Sequence, residues 1–203
     1  MTTGHITIAA QKVCLRHRIE ARRRRVAATD IRRFSAAIIR SVIASPAYQA
    51  ARTIGVYLDL PGEVRTAALV RRAWRDDKRV CMPVFVRRRG TYAWAWYRPE
   101  TVLRQGYFNV REPVRPVLVR AVVPDLVIVP GVAFDRQGRR LGRGGGFYDR
   151  LLAGMKSSRK TDLIGVTFQC QLIGRVPVTA NDRAVDMVIT EQGMWCAGRR
   201  VGP

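Results

Sequence analysis

Asp125-Leu-Val-Ile-Val-Pro130-Gly-Val-Ala-Phe-Asp-Arg-Gln-Gly-Arg-Arg-Leu-Gly-Arg-Gly-Gly-Gly-Phe-Tyr-Asp-Arg150 reads as a strand, a glycine-rich loop and a helix start. After Asp125 it runs continuously apolar to Pro130, the pattern of a parallel strand covered on both faces. The loop ends in a helix expected over about 147–156. Upstream, Arg52 to Leu58 reads as a buried strand, Pro61-Gly62 as a turn, Glu63 to Asp77 as a helix and Arg79 to Phe85 as a strand. That is a β-α-β unit of the usual length. Thr91 to Tyr97 reads as a further strand after the Arg87-Arg-Arg-Gly90 turn, and Leu163 to Phe168 and Met187 to Thr190 supply two more.

Residues 11–45 read as two helices, because Ile31, Phe34, Ile38 and Val42 recur at helical spacing. Thr29 or Asp30 is the expected cap of the second. Arg22 to Arg25 fall inside this pattern and read as an exposed helix face. Strand–helix alternation over most of the chain predicts one α/β domain spanning 1–203. Its expected architecture is a three-layer α/β/α sandwich with a mainly parallel sheet. Residues 198–203 read as a loose tail.

Composition narrows the class of protein. The 203 residues include 37 basic and 15 acidic side chains, a net charge of +22. Such a surplus attracts anions, whether nucleotide, polyanionic substrate, nucleic acid or membrane surface. It is nearly all arginine and is spread along the chain, so it does not mark one binding tail. No apolar run approaches a membrane span, and Ile6 to Ala10 is too short for a signal-peptide core. Cys14, Cys81, Cys170 and Cys196 are far apart, and only His5 and His17 accompany them, so a structural zinc site is not expected. Four unpaired thiols suit a cytoplasmic location.

The loop carries the chemistry. Gly142, Gly144, Gly145 and Gly146 have no side chain, so a ligand can approach the backbone. Amides at a helix start favour phosphate oxygens, and Arg140 and Arg143 add charged donors. Asp149 is suitably placed to hold Mg²⁺ beside such phosphates. There is no G-x-x-x-x-G-K-S/T run, and Phe147 replaces the third glycine of a dinucleotide fingerprint.

The whole segment resembles the signature of the 5-formyltetrahydrofolate cyclo-ligase family, approximately P-x-x-A-F-D-x-x-G-x-R-L-G-x-G-x-G-Y-Y-D. Four further pieces are similar to the family in the same order. They are Lys12-x-x-x-Arg16, Tyr57-Leu-x-x-x-x-Glu63, Phe108-Asn-Val-Arg-Glu-Pro113 and Val176-Pro-x-x-x-Asn-Asp182-x-x-x-Asp186. Phe147 stands where tyrosine is common, and Gly145 where some members carry lysine.

The resemblance implies the broad sugar-phosphate isomerase/CoA-transferase-like fold. It also implies an ATP- and Mg²⁺-dependent closure of 5-formyltetrahydrofolate, polyglutamylated or not, to 5,10-methenyltetrahydrofolate. Lys12, Arg16, Arg140, Leu141, Gly142, Arg143, Gly144, Gly145, Gly146, Phe147 and Tyr148 would then cradle the nucleotide. Leu58, Glu63 and Tyr148 would bind the folate, Arg143 and Tyr148 would serve catalysis, and Asp149 and Asp182 would hold the metal. Asp186 competes with Asp182, and a helix-start acid competes with the folate-binding reading of Glu63. Trp94 and Trp96 read as core or pocket wall. A specific nucleic-acid or membrane partner is not expected. The alternatives are a basic nucleic-acid binder, another enzyme on a similar scaffold, and a folate binder without turnover.

Overall fold

The computed structural model describes residues 7–106, 109–119, 122–155 and 161–201; His5, Ile6, Phe108, Lys156, Gly202 and Pro203 lie outside them. In chain order the elements are α1 (Ile8–Arg24), α2 (Ala28–Ala44), α3 (Pro46–Ala50), β1 (Thr53–Gly55), α4 (Ala67–Arg75), β2 (Arg79–Val86) and β3 (Thr91–Trp96). They continue with β4 (Leu103–Gln105), β5 (Arg111–Pro113), β6 (Leu126–Val129), β7 (Ala133–Asp135), β8 (Arg140–Leu141) and α5 (Phe147–Ala153). The last are β9 (Asp162–Val166), β10 (Leu172–Ile173), β11 (Met187–Thr190), β12 (Gly193–Cys196) and β13 (Arg199–Val201).

The main sheet runs in the order β13-β12-β11-β9-β6-β1-β2-β3. Neighbours from β11 to β2 pair in parallel, and antiparallel hairpins flank them on both sides. The apolar run of β6 explains the layering. Leu126 and Ile128 pack with Ile38, Val42 and Leu69 of α2 and α4, while Val127 and Val129 pack with Leu151 and Leu152 of α5. Both faces are therefore dry, and the three-layer sandwich with a mainly parallel sheet follows. Against a small sheet of order β10-β7-β8, α1 buries Leu15 and Ile19 on Val132, Leu141 and Val176.

Local chemistry moves several element ends from those expected. α2 begins at Ala28 after Ala27, so Thr29 and Asp30 lie inside its first turn, where Asp30 binds Arg33 at 2.8 Å. β1 ends at Gly55, and Tyr57 and Leu58 leave the sheet. α4 begins at Ala67 rather than at Glu63. Residues 59–66 are occupied by a turn in which Asp59 Oδ1 accepts from the amide and hydroxyl of Thr66, at 3.0 and 3.2 Å. Glu63 is thus a turn residue, and its reading as a helix-start acid is removed. The expected tail is also corrected, because Arg199–Val201 pairs with β12. Ala197 and Gly198, at φ 46 and 84, make the two-residue turn between them.

Candidate active site

Chain order places the cleft. From β1 the sheet grows in one direction through β2 and in the other through β6, so β1/β6 is a topological switch point. Ligands of open α/β sheets bind beyond the carboxyl ends of strands at such points. Tyr57 and Leu58 follow β1, Pro130 and Gly131 follow β6, and all four line a cleft of about 710 Å³.

α1 closes one side with Lys12, Val13 and Arg16, while Pro83 and Tyr92 of the β2–β3 hairpin close another. The segment Arg140–Asp149 forms the longest continuous part of the wall, and Asp182 completes it. The same cleft therefore gathers Lys12, Arg16, Leu58, Glu63, Arg140 to Asp149 and Asp182. Asp186 is elsewhere. Its carboxylate accepts from the Leu163 amide at 2.9 Å, joining two strand ends, and Asp125 does the same for Arg52 and Thr53.

The glycine loop is anchored before it reaches the cleft. Asp135, fully buried, accepts from the amides of Gln137, Arg139 and Val176 and from Arg139 Nε. Arg16 Nε donates to the Gly142 carbonyl at 2.8 Å, holding α1 on the loop. Lys12 donates to Asp182 Oδ2 at 2.5 Å, and that oxygen also takes the Thr179 amide and hydroxyl. At Gly146 the backbone adopts φ 62, a left-handed geometry that glycine reaches without a Cβ penalty.

Arg140 is buried rather than reaching openly into the cleft. It binds Asp149 Oδ1 at 2.7 Å, and its guanidinium carbon lies 5.8 Å from the centre of the Tyr148 ring. Arg140 Nε and the Tyr148 hydroxyl are both buried without a hydrogen-bond partner among the described residues. Burial drives the Tyr148 phenol well above its ordinary pKa, and the Glu63 carboxylate adds to the shift. It stays a protonated donor at neutral pH. Glu63 itself accepts from the Leu60 amide at 3.1 Å and from Arg143 at 2.6 Å.

Sequence reasoning missed Tyr92 and Pro83 in this wall. Tyr92 shares its strand face with Trp94 and Trp96, so the aromatic alternation was a usable signal. Trp94 is the core member of that stripe, lying against Gly55, whereas Tyr92 sits nearer the hairpin tip and reaches the cleft. Tyr92, Phe85 and Phe147 meet edge to face, with ring centres 5.5–5.7 Å apart.

The sequence model of the 5-formyltetrahydrofolate cyclo-ligase family matches residues 8–191. The chain is 37% identical over 150 residues to the 5-formyltetrahydrofolate cyclo-ligase of Escherichia coli K12, covering 71% of this chain and 81% of that protein. It is 27% identical over 195 residues to the mouse 5-formyltetrahydrofolate cyclo-ligase, covering 92% and 96%. Its fold is similar to the solved structure of Aquifex aeolicus 5,10-methenyltetrahydrofolate synthetase, with a TM-score of 0.79, 29% identity and coverage of 95% and 96%.

Proposed function

The chain belongs to the 5-formyltetrahydrofolate cyclo-ligase family, and from that premise we propose that its cleft converts 5-formyltetrahydrofolate and ATP to 5,10-methenyltetrahydrofolate, ADP and phosphate with Mg²⁺. One observation carries this reading: a single cleft combines a cationic wall with an aromatic one. Lys12, Arg16 and Arg143 stand along the glycine loop, while Tyr57, Leu58, Tyr92 and Tyr148 face the same space around the Glu63 carboxylate. The first group suits a triphosphate, and the second a planar heterocycle with a donor-rich edge.

A formamide carbonyl is a poor electrophile because its oxygen leaves badly. Attack of that oxygen on the γ-phosphorus of ATP releases ADP and turns it into a phosphate leaving group. N10 then bonds to the formyl carbon and gives up its proton, and the C–O bond breaks to release phosphate. Such a sequence needs in-line placement and neutralised charge rather than a protein nucleophile. Arg143, half-exposed on the cleft wall, meets the charge that develops on the transferring group. Tyr148 donates its otherwise unpartnered hydroxyl to the substrate, and Glu63 accepts from the donor edge of the pterin.

Among the described residues no cluster of three metal-ligating side chains exists. Mg²⁺ commonly binds through one or two carboxylates plus substrate phosphates, so Asp149 and Asp182 fit it as ligands to a nucleotide-bound ion. The metal would supply charge neutralisation at the phosphates.

Among the described residues no helix is long and apolar enough to cross a membrane. Free cysteines throughout the described chain support a cytoplasmic setting. The arginine surplus is read as solvated surface, without a specific nucleic-acid site.

An absorbance assay at the methenyl-folate band tests the reading. Product should form only when ATP, Mg²⁺ and 5-formyltetrahydrofolate are present together. Full-rate product without ATP, or rapid ATP hydrolysis indifferent to folate, would refute it.

A further inference from the structure

The two halves of the cleft are joined by one ion pair. Arg143 Nη2 lies 2.6 Å from Glu63 Oε1, connecting positions 80 residues apart in sequence. The partners differ in setting. The Glu63 side chain is 12% exposed, whereas that of Arg143 is 50% exposed. Glu63 is held in place, since its other carboxylate oxygen accepts from the Leu60 amide and its own amide donates to the Leu60 carbonyl. The Arg143 backbone is anchored next door, where the Gly142 carbonyl accepts from Arg16 Nε, so movement belongs to its half-exposed side chain. Glu63 is the fixed member and Arg143 the movable one.

The surroundings of Glu63 make it dependent on a donor. Tyr57 and Tyr148 are buried close enough for its charge to raise both phenols. The Tyr57 hydroxyl is already committed to the Val64 carbonyl at 2.9 Å. A carboxylate so enclosed loses solvation and demands a replacement hydrogen bond whenever Arg143 leaves. A ligand with adjacent N–H groups on one edge supplies that replacement. A nucleotide triphosphate does not, because it brings only acceptors to this carboxylate.

We propose that the Glu63–Arg143 pair is a substrate-released latch: the donor edge of the folate takes over Glu63 and frees Arg143 to face the nucleotide phosphates. The latch rests on the proposed function of the cleft. It makes folate and nucleotide binding mutually reinforcing, since whatever raises affinity for one must raise it equally for the other. It also suppresses ATP hydrolysis in the absence of folate, because Arg143 is then neutralised by a neighbouring carboxylate.

Titration calorimetry on the intact chain tests this with Mg²⁺ and a non-hydrolysable ATP analogue, with and without saturating 5-formyltetrahydrofolate. In the wild type, folate should tighten nucleotide binding by about 5-fold or more, the usual lower bound of such coupling. Glu63→Gln should bind nucleotide tightly without folate and show no further gain. Arg143→Ala should bind nucleotide weakly and equally insensitively. A merely structural pair would shift both variants in the same direction, which overturns the latch. So does wild-type nucleotide affinity that ignores folate while both ligands bind. Should Glu63→Gln give no cooperative melt, the wild-type coupling and the Arg143→Ala result decide the matter alone. A wild type that binds neither ligand refutes the functional reading as well.

Discussion

Arg140 and Asp149 bracket the glycine run and are joined at 2.7 Å, with side chains only 5% and 18% exposed. Asp149 is therefore the counter-charge of a buried guanidinium as well as a cleft carboxylate. An acid exposed at a helix start would be nearly neutral to stability, whereas this one sits in a largely buried ion pair. Arg140 is correspondingly a fixed wall element whose reach toward phosphate is limited by its partner.

Asp149→Asn removes that counter-charge while keeping the size. Hydrogen bonds to charged groups contribute about 1.5–3 kcal/mol, and a buried charge left unpaired adds to the loss. At roughly 2–4 °C per kcal/mol for a chain of this length, melting should fall by several degrees. Turnover should fall by about 10-fold or more if the carboxylate also serves the metal. Calorimetry beside turnover against Mg²⁺ concentration separates the roles. Lower melting with an unchanged Mg²⁺ dependence would leave Asp149 as a counter-ion alone.

Tyr148→Phe should behave in the opposite sense. The hydroxyl is buried without a partner among the described residues, so deleting it removes an unsatisfied group, a change worth up to about 1–3 kcal/mol in favour of the fold. Melting should hold or rise while kcat/KM for folate drops at least ~10-fold. Retained turnover would show that the substrate does not use this hydroxyl.

The Lys12–Asp182 pair carries a pH signature. Burial alone would raise the Asp182 carboxyl, but bonds from Lys12 and from the Thr179 amide and hydroxyl outweigh it and hold the group below its ordinary range. A folded-state value below the unfolded one means the stabilisation is complete above about pH 4 and disappears as pH falls through the depressed value. Asp182→Asn should therefore melt below wild type at pH 7 and pH 5, with the gap closing near pH 2. An equal gap at all three would assign the loss to packing.

Sheet and layers were legible because β6 and its neighbours announce themselves by apolar runs whose two faces are both dry. Element ends were less so. Glu63 looked helical because the Asp59–Thr66 bonds that divert the chain are side-chain contacts with no periodic signature. The β12–β13 hairpin was hidden by an edge strand, Arg199-Arg-Val201, whose basic residues read as tail. Charge pairing was the least readable feature. The sequence displayed Arg140, Arg143, Asp149 and Glu63 as free donors and acceptors, and only the fold shows which of them face one another.

Gly145 and Phe147 should prove energetically coupled. A Cβ at Gly145 would lie 2.4 and 2.5 Å from two carbons of the Phe147 ring, closer than real Cβ contacts allow. The ring has little room to yield, because Phe85 and Tyr92 meet it edge to face and Arg150 lies over it at 4.8 Å, while also donating to the Gly145 carbonyl. Gly145→Ala must therefore displace either the ring or the loop, an overpacking error that costs about 1–3 kcal/mol. It should also raise the KM for ATP, since the displaced backbone lines the cleft. Phe147→Ala alone should destabilise by opening a cavity in the aromatic cluster. In the Phe147→Ala background the same glycine substitution has no ring to strike, so its added effect on melting and on KM should nearly vanish. The difference between the two Gly145→Ala effects measures the coupling, and residues in contact typically show 0.5–3 kcal/mol. Additive losses in the double variant would mean that the ring and the loop do not compete for this space.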